Sequence, residues 1–200
     1  MLHELLFALS GYSGSIFSPI DFQISADFPF LHPAERSALD RLGALGLSFQ
    51  RLQRFSHQKP RDTMCRTLQS QIQAWLDNYR TIIVNFEASI LNYSDPDTQG
   101  TKTPLALLEV AFDEYFLLFP SLVAFCTKID KLTGIQQMHH LSQELARSGH
   151  PQVVKTYSFL LQAMHFAWLK DLSAWIIYAS TYDPFEEFMI CRSRSQQTNW

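Results

Sequence analysis

The chain has 200 residues, with 16 Lys and Arg against 19 Asp and Glu, a net charge of −3. An acidic chain lacks the basic face that a duplex-DNA binder uses to neutralise phosphates. Its 46% hydrophobic and 14% aromatic content gives too much apolar surface for disorder.

Charged residues make up only 18%, so the soluble face is thin. Cys65, Cys126 and Cys191 are odd in number and widely spaced, which argues against a disulfide framework and for a reducing compartment. The uncharged helical stretches 115–127 and 156–169 fall short of the ~18 apolar residues of a membrane span. The start, MLHELLFAL, carries Glu4 and no basic flank, unlike a secretory signal. A soluble intracellular protein, with neither nucleic acid nor membrane as partner, is expected.

Helical periodicity dominates the chain. Residues 2–10 read as a short helix. Residues 11–31 contain Gly11, Gly14, Pro19 and Pro29 and alternate weakly at Ile16, Ile20, Phe22 and Ile24, the pattern of a loop with a small hairpin. His32-Pro33 opens a helix that Leu39, Leu42, Leu45, Phe49, Leu52 and Phe55 carry to about His57. Residues 58–61 then break the pattern.

Met64, Leu68, Ile72, Trp75, Tyr79, Ile82, Phe86, Ile90 and Tyr93 follow in steps of three and four, with no Gly or Pro between Asp62 and Ser94. Such steps keep one helical face, and the helix would be about 50 Å long. A polar linker spans 92–103. Thr103-Pro104 starts the next helix, which is apolar nearly all round to Phe119. Pro120 lacks a donor, so a kink is expected there. The helix resumes to about Leu132 and stops near Gly134. A shorter helix over 135–148 should end on Gly149 as a left-handed cap.

The last long helix is bracketed by Gly149 and Pro151 at its start and by Asp183-Pro184 at its end. Its stripe is Val154, Tyr157, Leu161, Met164, Trp168, Leu172, Trp175, Ala179 and Tyr182. Leu160, Phe166, Leu169, Ile176 and Ile177 lie off that stripe. A helix apolar over so wide an arc sits between neighbours. Trp168, Leu172 and Trp175 are expected to be mostly buried, and Phe185 and Phe188 to anchor a turned-back segment. The sequence thus predicts an all-α, elongated bundle of long antiparallel helices without internal repeats.

Chemical motifs are few. His140 and Glu144 have i, i+4 spacing beside His139, yet no H-E-x-x-H or Glu-x-x-His pair accompanies them, so they read as solvated or capping groups. No G-x-S-x-G exists, and Ser13 offers only a loop hydroxyl. Cys126 lies in an apolar stretch where a thiol is inert packing. Gly11 and Gly14 lack the Lys of a phosphate cradle and read as turn residues. Asp113-Glu114 and Glu186-Glu187 are adjacent acids without a cationic partner in sequence and read as solvated. Phe112, Tyr115, Phe116 and Phe119 are expected to be core, with a partner surface as the other reading. No catalytic, cofactor or metal residues are assigned, and the partner-binding residues are unknown from sequence.

The opening MLHELLFALSGYSGSIF with DFPFLHPAERSALDRLGALG, the stretch LLFPSL at 117–122, and the segment LSAWIIYASTYDPFEEFMI resemble the gamma-tubulin complex component (grip-motif, spindle-pole-body component) family. They resemble most the short member type that begins directly at this motif. The resemblance spans residues 1–190 and implies an N-terminal helical-bundle domain, with 191–200 as a tail. It implies a non-enzymatic scaffold, without cofactor, at the cytoskeleton and the microtubule-organising centre or spindle pole. Members of that family line up side by side in a ring that templates microtubule nucleation, and their N-terminal domains make the lateral contacts. Gamma-tubulin sits on a C-terminal domain that is not expected within these residues, so it is expected as an indirect partner. The alternative is a helical adaptor that holds a partner helix in an apolar groove; a small enzyme is disfavoured, since none of the catalytic motifs above is present in the sequence.

Overall fold

The computed structural model describes residues 2–25, 31–92, 104–179, 185 and 188. These hold α1 (Leu2–Leu9), α2 (Pro33–His57), α3 (Thr63–Asn92), α4 (Pro104–Ala111), α5 (Asp113–Ile129), α6 (Ile135–Arg147) and α7 (Pro151–Tyr178). The expected small hairpin shrinks to one antiparallel bridge, Phe17 with Ile24. The 93–103 linker, Asp183-Pro184, Glu186-Glu187 and the 191–200 tail lie outside the described residues. The fold is an all-α bundle.

Side-chain contacts set the helix directions. Gln69 near the start of α3 donates to the Phe55 carbonyl near the end of α2, at 3.0 Å, so α2 and α3 are antiparallel. Arg61, just before α3, pairs with Asp130, just after α5, at 3.5 Å, while Tyr79 meets Tyr115 at 5.1 Å. So α5 also opposes α3. Gln152 donates to Glu114 at 3.0 Å, and the Tyr157 hydroxyl donates to the Ser121 carbonyl at 3.1 Å. These contacts make α7 parallel to α5 and antiparallel to α3. The expectation of antiparallel helices holds: α2, α5 and α7 share a direction because α3 and α6 run back between them, Gly134 before α6 lying by Asp62 at the end where α5 stops and Gln152 of α7 lying by Glu114 at its start.

Tyr79 occupies the centre. Its ring lies 4.9–5.3 Å from those of Phe49, Phe112, Tyr115 and Phe119, and its hydroxyl donates to the Leu9 carbonyl at 3.2 Å. The aromatic run of α4 and α5 is thus core, as expected. The α1 helix seats directly on α2, where glycine is required. A Cβ on Gly46 would stand 2.1 Å from the Ala8 carbonyl oxygen, and one on Gly43 would stand 2.1 Å from that of Phe22.

At the other end, Asp62 is buried before α3. Its Oδ1 accepts from the Cys65 N–H, an N-cap bond. Its Oδ2 accepts from the Gly134 N–H at 3.1 Å and the Gln137 amide at 2.7 Å. One carboxylate therefore ties the start of α3 to the turn before α6.

Three local expectations are corrected. The break in the third segment falls at Phe112, between Ala111 and Asp113, with a 56° bend, and α5 runs through Pro120. Phe112 leaves helical geometry with φ −105 and ψ 8 so that its buried ring reaches Tyr79. Pro120 is exposed, so water can take the carbonyl that proline leaves without a donor. The α6 helix ends at Arg147 with Ser148 extended, so Gly149 is not a left-handed cap. The α7 helix ends at Tyr178, ahead of Asp183-Pro184, with Ala179 left-handed at φ 49 and its N–H on the Trp175 carbonyl.

Trp168, Leu172 and Trp175 are mostly but not fully buried, with Trp168 packed on the core. The buried residues of α7 stop at Met164, near where its partner α5 ends, and the remaining 14 residues run on for about 20 Å at 1.5 Å each. Leu172→Ala, which a fully buried stripe would put at roughly 2–5 kcal/mol, is expected to cost about 1 kcal/mol in urea melts. Phe188 is 8% exposed, and Phe185 lies beside Arg61, Gly134 and Ile135.

Candidate interaction surface

The chemically suggestive residues from the sequence do not assemble into a site. His140 Nε2 stands 3.8 Å from Glu144, but Lys128 donates to the same carboxylate at 2.9 Å. That hydrogen bond holds the Glu144 carboxyl below its ordinary range against partial burial. His139 contacts Gln143 instead. Among the described residues no group of three or more His, Cys, Asp and Glu could hold a metal. Cys126 is buried, and desolvation keeps its thiol far above the usual range, so it is packing. Gly11 turns the chain after α1 with φ 88. Ser13 is half-buried in that loop. Asp113 and Glu114 are exposed in the first turn of α5, where acids suit the helix dipole.

The surface carries the signal instead. Val153, Thr156, Tyr157, Leu160 and Met164 form the buried face of α7, against α3, α5 and α6. Phe159, Phe166, Leu169, Ile176 and Ile177 are 48%, 73%, 51%, 67% and 68% exposed. At 100° per residue they fall within an arc of about 100°, opposite the buried face. Tyr178 extends the exposed apolar end. The helix that the sequence places between neighbours has them on one side only. An exposed apolar face of this kind, interrupted only by the exposed Gln162 and Ser173, is the type of surface that partners cover. Phe166, Leu169, Ile176 and Ile177 were visible in the sequence as off-stripe residues; Phe159 and Tyr178 were missed, although Phe159 shares a helical face with Phe166 seven residues on.

Among the described residues no single helix is long and apolar enough to cross a membrane. The chain matches the family described as gamma tubulin complex component N-terminal over residues 2–199. It belongs to the gamma-tubulin complex component family. Gamma-tubulin complex component 4 of Mus musculus is 31% identical over 214 residues, covering 99% of this chain and 32% of that protein. The Homo sapiens component 4 is 32% identical over 213 residues, covering 95% of this chain and 31% of its own length. The Arabidopsis thaliana component 4 is 26% identical over 243 residues. The chain therefore spans about a third of the length of these relatives, and the short member type expected from the opening motif is the one found. Membership of the gamma-tubulin complex component family is consistent with an all-α bundle of long helices with apolar flanks.

Proposed function

We propose that this chain is the lateral-contact part of a gamma-tubulin complex component, a non-enzymatic scaffold that lies beside other components in the ring that templates microtubule nucleation. Its place is the cytoskeleton, at the microtubule-organising centre or spindle pole. Residues 1–190 act as the N-terminal bundle domain, followed by a tail. Gamma-tubulin is reached only through the rest of the complex, and neither nucleic acid nor membrane takes part. The observation that supports this reading most is the exposed apolar face of α7, opposite its buried face. A helix of 28 residues is about 42 Å long, enough edge for a standard interface of about 800 Å² per partner. The low charge content means that few ions lose hydration when such flanks meet. A single contact can be weak and still hold, because ring neighbours on both sides supply avidity.

Two pull-downs with the purified chain test this. One uses the N-terminal domain of a neighbouring component, the other free gamma-tubulin. Binding to the neighbour, reduced by Phe166→Asp with Ile177→Asp, is expected, with none to gamma-tubulin. Both substituted residues are exposed, so the fold should hold, as circular dichroism would verify. Tight binding to gamma-tubulin with none to the neighbour would reverse the roles.

A further inference from the structure

The end of the bundle where α2 and α5 stop is basic in an otherwise acidic chain. Residues 51–66 and 128–131 hold seven of the 16 Lys and Arg but two of the 19 carboxylates. The fold brings the two stretches together through Arg61 and Asp130. Both carboxylates are already engaged: Asp62 is buried in its cap, and Asp130 takes Arg61. Lys128 is held by Glu144. Arg54 donates to the neutral Gln50 side chain at 3.2 Å. Arg51, Lys59, Arg66 and Lys131 are exposed and have no ion-pair partner among the described residues. Helix dipoles do not account for the excess. The α2 and α5 helices end here with partial negative charge, but α3 and α6 begin here with partial positive charge.

The same end carries a groove between α2 and α5, with a volume of about 340 Å³. The buried Leu52, Phe55 and Cys126 and the half-buried Val123 form its apolar floor, the exposed Arg51 and Arg54 stand along its α2 side, and Asp130, already paired with Arg61, also lines it. We propose that this groove docks an acidic segment of a partner protein. A Leu or Phe of that segment seats on the apolar lining, and its flanking carboxylates meet Arg51 and Arg54. The charge is complementary, and the apolar lining gives the peptide something to bury. A nucleic-acid backbone has no apolar group for that lining, and a membrane cannot reach into a groove between two helices. The site is separate from the outer face of α7 and does not depend on the lateral role.

The test is fluorescence anisotropy with a labelled peptide of repeated Glu-Leu-Phe-Glu units, against the whole chain. Saturable binding is expected, weakened about tenfold or more by Arg51→Glu with Arg54→Glu and weakened by added salt. Thr127→Trp, on the α5 wall, should abolish it by filling the groove without changing charge. Lys155→Glu, on another face of the molecule, should leave it intact, as should Phe166→Asp with Ile177→Asp. Absence of saturable binding overturns the proposal, and so does equal affinity in the charge-reversed and Thr127→Trp variants. Binding of phosphatidylserine vesicles or of an oligonucleotide, sensitive to the Arg reversals while the peptide fails to bind, would overturn it in favour of a lipid or nucleic-acid surface.

Discussion

Tyr79→Ala is expected to destabilise the bundle by about 3–5 kcal/mol, the range for removing a buried aromatic side chain. The ring has four aromatic neighbours, drawn from α2, the α4–α5 break and α5, so no single element can relax to fill the hole. Tyr79→Phe keeps the ring and removes only the hydrogen bond to the Leu9 carbonyl, so a loss of about 1 kcal/mol is expected. Urea unfolding of the two variants separates the two contributions. Burial also raises the Tyr79 phenol well above its ordinary range, and that of Tyr157 is pushed up to about 12. A folded-state value above the unfolded one means stability that is fully present below the ordinary tyrosine range and lost as pH rises through the folded values. Alkaline unfolding, coincident with tyrosinate absorbance, is therefore expected in the wild type.

Asp62→Ala is the second large effect. It leaves the Cys65 N–H, the Gly134 N–H and the Gln137 amide without their acceptor, in a site that is 2% exposed. A loss of roughly 3 kcal/mol or more follows from stranding buried donors. Asp62→Asn keeps one acceptor oxygen but turns an amide toward other donors, so its loss should be smaller but clear. Amide exchange should report the difference locally, with protection falling first in the opening turns of α3 and α6. Unchanged protection at Gly134 would show that the turn is held by other contacts.

How much was legible in advance depends on whether the signal was local. The α3 stripe from Met64 to Tyr79 was readable because its period of three and four is set by one face meeting one core. His32-Pro33 at the start of α2 was readable because Pro at the first helical position is a local rule. The break at Phe112 was not, because it arises from the pull of Tyr79, far away in sequence, while the local signal at Pro120 pointed elsewhere. The end of α7 was misplaced for a similar reason: Ala179 adopts a left-handed conformation that its residue type does not announce. That the burial of Trp168, Leu172 and Trp175 stops short of complete was illegible, because an apolar stripe states what can be buried and not how far the neighbouring helices extend. The outer face of α7 was written in the sequence as its off-stripe residues, but only the bundle shows which side is left uncovered. The basic groove escaped notice because its cations come from two stretches that meet only in the fold.

The central claim is that the outer face of α7 meets a neighbouring component. Site-specific photo-crosslinking tests it most directly, with a photoreactive residue placed at Phe166 or Ile177 in the assembled complex. Cross-links from both positions to a second gamma-tubulin complex component are predicted, absent when the probe is moved to the exposed Arg66 on α3. Cross-links to gamma-tubulin itself, or none to another component from either position, would contradict the account.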